Sequence, residues 1–223
     1  MTAPPLRVLY EDNHLLAVYK PPGLSVQKDA SGEPSLQDLA RGWIAKAGNK
    51  PGNVYLGIVH RLDKPVAGVV LLARTSKAAA RLSALFRDRK VDKVYRAVVK
   101  GTFPEPRGRL THYLKKEKSL KATVFPRPTP GAQVADLEYQ VIEGGRDSSL
   151  LEIRLFTGRF HQIRAQLAFA GHSILGDVKY RAPEPLPERN IALYACRLAF
   201  DHPITGERIS IEADPPGFWP GVS

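Results

Sequence analysis

His60-Arg61-Leu62-Asp63-Lys64 sets one carboxylate among three basic side chains and runs directly into an apolar stretch from Val66 to Ala73. Neighbouring positive charge favours the ionised form of an acid, and a strand-like run fixes that acid at the edge of a core. An anchored carboxylate of this kind suits a nucleophile; the plainer alternative is a surface salt bridge at the start of a strand. Two more segments carry groups of chemical interest. Lys93-Val94-Tyr95-Arg96-Ala97 places a tyrosine in an alternating run, so Tyr95 faces a core or a cleft. Gly158-Arg159-Phe160-His161-Gln162-Ile163-Arg164 opens a helix on which His161 and Arg164, three apart, are neighbours.

Composition narrows what these groups can serve. A chain of 223 residues that is 43% apolar has enough material for a core. Its 33 Lys and Arg outnumber 22 Asp and Glu, and the resulting +11 points to a polyanionic partner, either nucleic acid or an acidic membrane surface. The longest apolar run, Val66 to Ala73, is far short of the roughly twenty residues that a spanning helix requires. Residues Met1 to Arg7 contain no apolar signal-like core, and Cys196 is the sole cysteine, which fits a reducing, cytoplasmic setting. The histidines show no ligand-like pairing such as HxxxH, so no metal or cofactor is expected.

The elements that must position the reactive groups follow from patterning. Arg7-Val8-Leu9-Tyr10 and Leu15-Leu16-Ala17-Val18-Tyr19 predict two strands turned at Asp12-Asn13, with Pro21-Pro22-Gly23 ending the second. Ser35 is placed to cap a helix through about Ala47, with Leu36, Leu39, Trp43 and Ile44 at helical spacing and Gly48 as its stop. Residues 49–57 read as loop and Ile58-Val59 as extended. Val69 to Leu72 reads as a strand buried on both faces, so Asp63 falls between two strands. Ser76 predicts a second N-cap, for a helix with Ala79, Leu82, Leu85 and Phe86 inward and Arg81, Arg87 and Arg89 elsewhere. Val91 to Lys100 is the strand that carries Tyr95. Residues 102–131, rich in Pro, Gly and Lys, read as an exposed basic excursion in which Lys115, Lys116, Lys118 and Lys121 are either solvated or in contact with phosphate.

Val134–Glu143 and Ser149–Phe156 predict a hairpin. His161–Ala170 predicts a helix with Ile163, Leu167 and Ala170 on one face and Gly171 just past its end, and the tail from Asp201 predicts two more short strands. No repeat or linker-like boundary divides the chain. The expected architecture is α+β, a single domain over 1–223 with a mixed, largely antiparallel sheet flanked by a few helices and loops.

Taken in order, these segments resemble the RluA-type family of pseudouridine synthases. Leu15 to Val26 is similar to the family's strand and KPxGLxV turn, and His60–Asp63 to its HRLD block. Gly68 to Ala73 and Lys93 to Ala97 follow, then Gly158–Arg164 as GRxHQIR, Ile174 to Tyr180, and His202 to Glu207 as the closing HPxTGE turn. Several such pieces in the right order are far more specific than any one. Departures are Val66-Ala67-Gly68 where many members have TSG, Phe160 where Thr is common, and Ala165-Gln166 for Val-His.

The resemblance implies an RNA isomerase with Asp63 as the essential carboxylate, Arg164 pairing with it, and Tyr95 stacking on the target base. It also implies RNA contacts by Arg61, Arg159, His161 and Gln162, and an apolar wall for the uracil at Leu175; His60 would either touch the RNA backbone or orient its loop. The target base would have to be flipped out of its stack. Since about five residues precede the first expected strand, no S4 module is expected, and docking of a ribosomal or transfer RNA stem-loop would fall to the domain itself. The expected protein is a monomer with no obligate protein partner. Two rivals are a catalytically silent RNA-binding protein and a hydrolase using Asp63, which would usually need a second carboxylate.

Overall fold

The computed structural model describes residues 6–30, 32–47, 54–103 and 105–222. Its strands are β1 (Arg7–Glu11), β2 (Leu15–Lys20), β3 (Gly57–Ile58), β4 (Ala67–Ala73), β5 (Asp92–Lys100), β6 (Arg107–Lys116), β7 (Ala122–Phe125), β8 (Gln133–Gly144), β9 (Ser148–Leu155), β10 (Leu193–Asp201) and β11 (Arg208–Glu212). The helices are α1 (Leu36–Ala47), α2 (Ser76–Arg87) and α3 (Gln162–Phe169). The chain sorts into two compact units, Met1–Val91 with Cys196–Asp214, and Asp92–Ala195 with Pro215–Ser223.

In the first unit β1 and β2 form the expected hairpin. Asp12 turns it by accepting the His14 and Leu15 N–H groups on one carboxylate oxygen, each at 2.7 Å. β2 lies antiparallel to β4 with Leu15 opposite Ala73 and Lys20 opposite Gly68. Every residue of β4 is buried, as its uninterrupted apolar run requires. Ser35 caps α1 in a reciprocal box: its hydroxyl accepts the Asp38 N–H at 3.3 Å and its own N–H goes to the Asp38 carboxylate at 3.1 Å. The helix end expected at Gly48 and the start of the following loop lie outside the described residues.

The cap of α2 is Thr75 rather than Ser76; its backbone is extended and its hydroxyl accepts the Ala78 N–H at 3.2 Å. Either hydroxyl fits the sequence pattern, and the residue whose backbone stays extended takes the role. Ala78 and Leu82 of α2 pack on Leu15, Ala17, Val69, Leu71 and Phe200. Arg89, expected on this helix, lies beyond its end in a left-handed conformation.

The second unit is an antiparallel array in the order β5, β9, β8, β6, β7. The basic excursion is thus largely strand. β6 pairs along β8 from Arg107 opposite Gln140 to Leu114 opposite Gln133, and β7 returns along Tyr113–Lys116. The many polar residues of this stretch hid an alternation in which Leu114 and Ala122 turn inward while Lys115, Lys116 and Lys121 stay exposed. Helix α3 packs on that sheet through a cluster of Leu114, Ala122, Ala135, Ala165 and Tyr180. It is buried from Gln162 through Leu167 rather than along one face, and Ala170, expected inward, is exposed. Gly171 does end it: Gly171 N–H reaches the Ala168 carbonyl and His172 N–H the Leu167 carbonyl, a Schellman closure. At the C-terminal end, β10 finishes at Asp201 and β11 alone follows it among the described residues, where two later strands were expected.

Candidate active site

Asp63 sits in the loop between β3 and β4, as expected, half-buried and with its carbonyl accepting the Val66 N–H at 3.0 Å. The loop is held from three sides. His60 accepts the Leu71 N–H on Nε2 at 2.9 Å and stacks on Phe86 at 4.8 Å between ring centres, which ties its end of the loop to β4 and α2. Gly23 N–H donates to the Lys64 carbonyl at 2.9 Å. Beneath the loop Lys20, fully buried, donates from Nζ to the carbonyls of Pro21, Leu24 and Lys64 at 2.9, 2.8 and 3.0 Å. Burial pushes this ammonium down to about 7; the Asp63 carboxylate works against that shift and Lys64 adds to it. Lys64 itself is exposed and pairs with Glu33 at 3.3 Å, while Arg61 points to solvent. The backbone of the HRLD loop is thus tied to the KPPG turn through one buried cation. The sequence signal for Lys20 was its place in that turn, but its burial was not readable from a run ending at Tyr19.

The other expected site residues belong to the second unit. Tyr95 lies on β5 opposite Ile153 and is half-buried. Leu175 runs beside the same strand, its N–H on the Val98 carbonyl at 3.0 Å, with its side chain half-buried. Arg164 and Asp177 form a buried fork, Nε to Oδ2 at 2.7 Å and Nη2 to Oδ1 at 2.9 Å, with the two side chains 5% and 1% exposed. Asp177 is brought there by a tight turn at Gly176, whose φ of +83° and 2.4 Å approach of a would-be Cβ to the Asn190 carbonyl exclude any side chain. Asp177 and Tyr180 stood in a motif of the resemblance without an assigned role, because sequence spacing does not show which distant helix an acid will meet.

Gln162 and Arg159 are scaffold groups here. Gln162 is 3% exposed; its Oε1 accepts the Thr157 hydroxyl at 2.7 Å and the Arg159 N–H at 3.0 Å, and its Nε2 donates to the Asp136 carbonyl at 3.2 Å. A buried amide so engaged shapes the entrance to α3. Arg159 spends Nε on the Val134 carbonyl at 2.9 Å and Nη1 on Gln133 at 2.8 Å, anchoring the start of β8. His161 is half-buried, stacked on Phe160 at 3.8 Å, and its Nδ1 lies 2.9 Å from the Tyr180 hydroxyl. Burial, then Arg164 and Lys179, push its pKa down to about 3 against the opposing pull of Asp177.

The first unit thus carries a carboxylate on an anchored loop, and the second, taken by itself, a strand tyrosine and a buried arginine fork. The family model described as RNA pseudouridylate synthase matches residues 14–169. Among curated relatives, ribosomal large subunit pseudouridine synthase D of Zymomonas mobilis is 33% identical over 95% of this chain and 70% of its own length. The tRNA pseudouridine synthase C of Pectobacterium carotovorum is 31% identical over 97% of this chain and 61% of its own. Among solved structures, human RNA pseudouridylate synthase domain containing 4 superposes with a TM-score of 0.80 at 26% identity, covering 96% of this chain and 90% of that one. The chain belongs to the RNA pseudouridine synthase family, of the RluA type, and is an isomerase.

Proposed function

We propose that this protein converts uridine to pseudouridine at defined positions of a structured ribosomal or transfer RNA, with Asp63 as the essential carboxylate. The reaction breaks the N1–C1′ bond, turns the uracil, and joins C5 to C1′, with no redox change. What supports Asp63 is its loop: the adjoining Lys64 carbonyl is held by Lys20 and Gly23 and the His60 ring by the Leu71 N–H, so the carboxylate is carried on an anchored backbone, as a group acting on a sugar would need to be. It acts either by adding to C1′ or by promoting elimination to a glycal. Tyr95 stacks on the base, Arg164 supports the carboxylate chemistry, Leu175 walls the uracil, and exposed Arg61 holds the RNA with its target nucleotide extruded. The choice of RNA follows the names of the relatives, one of which acts on the large ribosomal subunit and another on transfer RNA. In this reading the protein works on RNA in the cytosol as a monomer.

The test compares RNA from cells with and without the protein, mapping pseudouridine by carbodiimide-dependent reverse-transcription stops. A stop that disappears with the protein and returns with wild type but not with Asp63→Ala is the expected result, and purified Asp63→Ala should still bind that RNA. Near-normal modification by Asp63→Ala would remove Asp63 from its role. Full binding with no modification by the wild type would favour the silent RNA-binding alternative.

A further inference from the structure

The tip of the β6–β7 hairpin holds a residue that its own backbone disfavours. Glu117 N–H donates to the Lys121 carbonyl at 2.8 Å and Leu120 N–H to the Glu117 carbonyl at 3.0 Å, which closes a short loop of Lys118, Ser119 and Leu120. In hairpin loops of this length the last residue is left-handed, and glycine is the residue that takes that conformation without strain. Here it is Leu120, at φ 55°. A leucine in that conformation crowds its Cβ against the following carbonyl oxygen. Its side chain gains little burial in return, since Leu120 is 56% exposed. An exposed leucine is common by itself; one that also strains its backbone points to a use outside the fold.

The rest of the hairpin holds this side chain out. Below the tip, Leu114 and Ala122 turn inward to Ala135, Ala165 and Tyr180, and Ala122 N–H donates to the Tyr180 hydroxyl at 2.8 Å. Lys116 and Lys121 lie over the rings of Phe160 and Tyr180, with Nζ 4.7 and 5.7 Å from the ring centres. Lys115, Lys116, Lys118 and Lys121 are all exposed, so the leucine stands among cations. An apolar tip surrounded by positive charge matches a partner with phosphates outside and flat apolar faces within, as the bases of a nucleic acid present once they are unstacked.

We propose that Leu120 is an apolar wedge that packs against the bases of an RNA loop or bulge while the lysines around it meet phosphates. This rests on the reading of the chain as an RNA-modifying enzyme and adds to it a residue that selects among RNA shapes. A wedge enters most easily where bases are already unstacked, so it favours a loop or bulge over an unbroken stem.

Glycine and asparagine both tolerate the left-handed backbone, so Leu120→Gly and Leu120→Asn should keep or raise the thermal midpoint of the full-length protein. Binding is then measured by filter assay on large-subunit ribosomal RNA and total transfer RNA, both from cells lacking the protein, and on an unbroken RNA duplex. On the tighter-binding of the two cellular RNAs each variant should lose about tenfold in affinity, the worth of a partly buried leucine. Affinity for the duplex should stay as in wild type, and Leu120→Phe, which keeps an apolar tip, should bind like wild type. The slope of log Kd against log salt should not change in any of these variants, because no cation is removed. A midpoint lowered in both the glycine and asparagine variants would make Leu120 a structural residue and overturn the wedge. Wild-type affinity in both overturns it as well, and loss of their co-sedimentation with phosphatidylglycerol vesicles in that case would assign the tip to a membrane surface. An equal loss on the duplex overturns the preference for unstacked bases. The expected loss of binding alongside a wild type that forms no pseudouridine in that RNA would keep the wedge and overturn the modifying activity instead.

Discussion

Lys20 has all three ammonium protons on main-chain carbonyls, one in the KPPG turn, one just past it at Leu24 and one behind Asp63. Replacing it with methionine removes three hydrogen bonds, leaves the Lys64 carbonyl with only the Gly23 N–H, and should cost about 3 kcal/mol, with a larger drop in turnover than in RNA binding because the Asp63 loop is released. The pH dependence has a definite sign. The unfolded chain keeps the lysine proton up to about 10.5, and the folded chain gives it up near 7. Between those values the unfolded state binds more protons, so this residue makes stability rise with pH. Urea unfolding of wild type and Lys20→Met at pH 7, 8 and 9 should show the gap between them widening upward; parallel curves would show that Lys20 does not titrate there. Asp63 was marked as a candidate by its three basic neighbours, but the burial of Lys20 was not legible, because nothing in LLAVYK says that its last residue turns inward.

At the scale of elements, the short helix α3 and the turn after Gly176 are joined by the Arg164–Asp177 fork. Breaking a buried pair by removing one partner leaves a charge uncompensated, so Asp177→Ala should lower stability by about 3–5 kcal/mol. Thermal denaturation checks this, and a change below about 1 kcal/mol would show that the guanidinium finds another partner at little cost. The limits of sequence reading also show here. Periodicity placed β4, β5, β8, β9 and α3 close to where they lie, since each has a strong apolar pattern. It missed β6 and β7, whose inward Leu114 and Ala122 are separated by lysines and a tight turn at Leu120 with φ 55°. Nor did it show that α3 is buried on nearly all sides, which depends on Gln162 and Gln166 finding carbonyl partners on β6 and β8 strands distant in sequence.

For the molecule as a whole, charge is the property that decides encounter with RNA. Converting Lys115, Lys116, Lys118 and Lys121 to glutamine lowers the net charge of +11 by four while leaving the inward side of the β6–β7 hairpin intact. Filter binding across salt should show weaker RNA affinity and a slope of log Kd against log salt reduced by about 0.7–0.9 for each phosphate that the variant no longer neutralises. An unchanged slope would make these lysines merely solubilising. By itself, the sequence determined the α+β class, the order of the motifs, the polyanionic partner and the candidate carboxylate, because these depend on residue type and short-range spacing. Tertiary structure alone decided which charges are buried, that Gln162 and Arg159 bond to β8 and the loop before α3, and that Arg164 forks onto Asp177. Each of those turns on a partner outside the local run of sequence, often a backbone group, and a backbone N–H or carbonyl leaves no mark in the identity of the residue that supplies it.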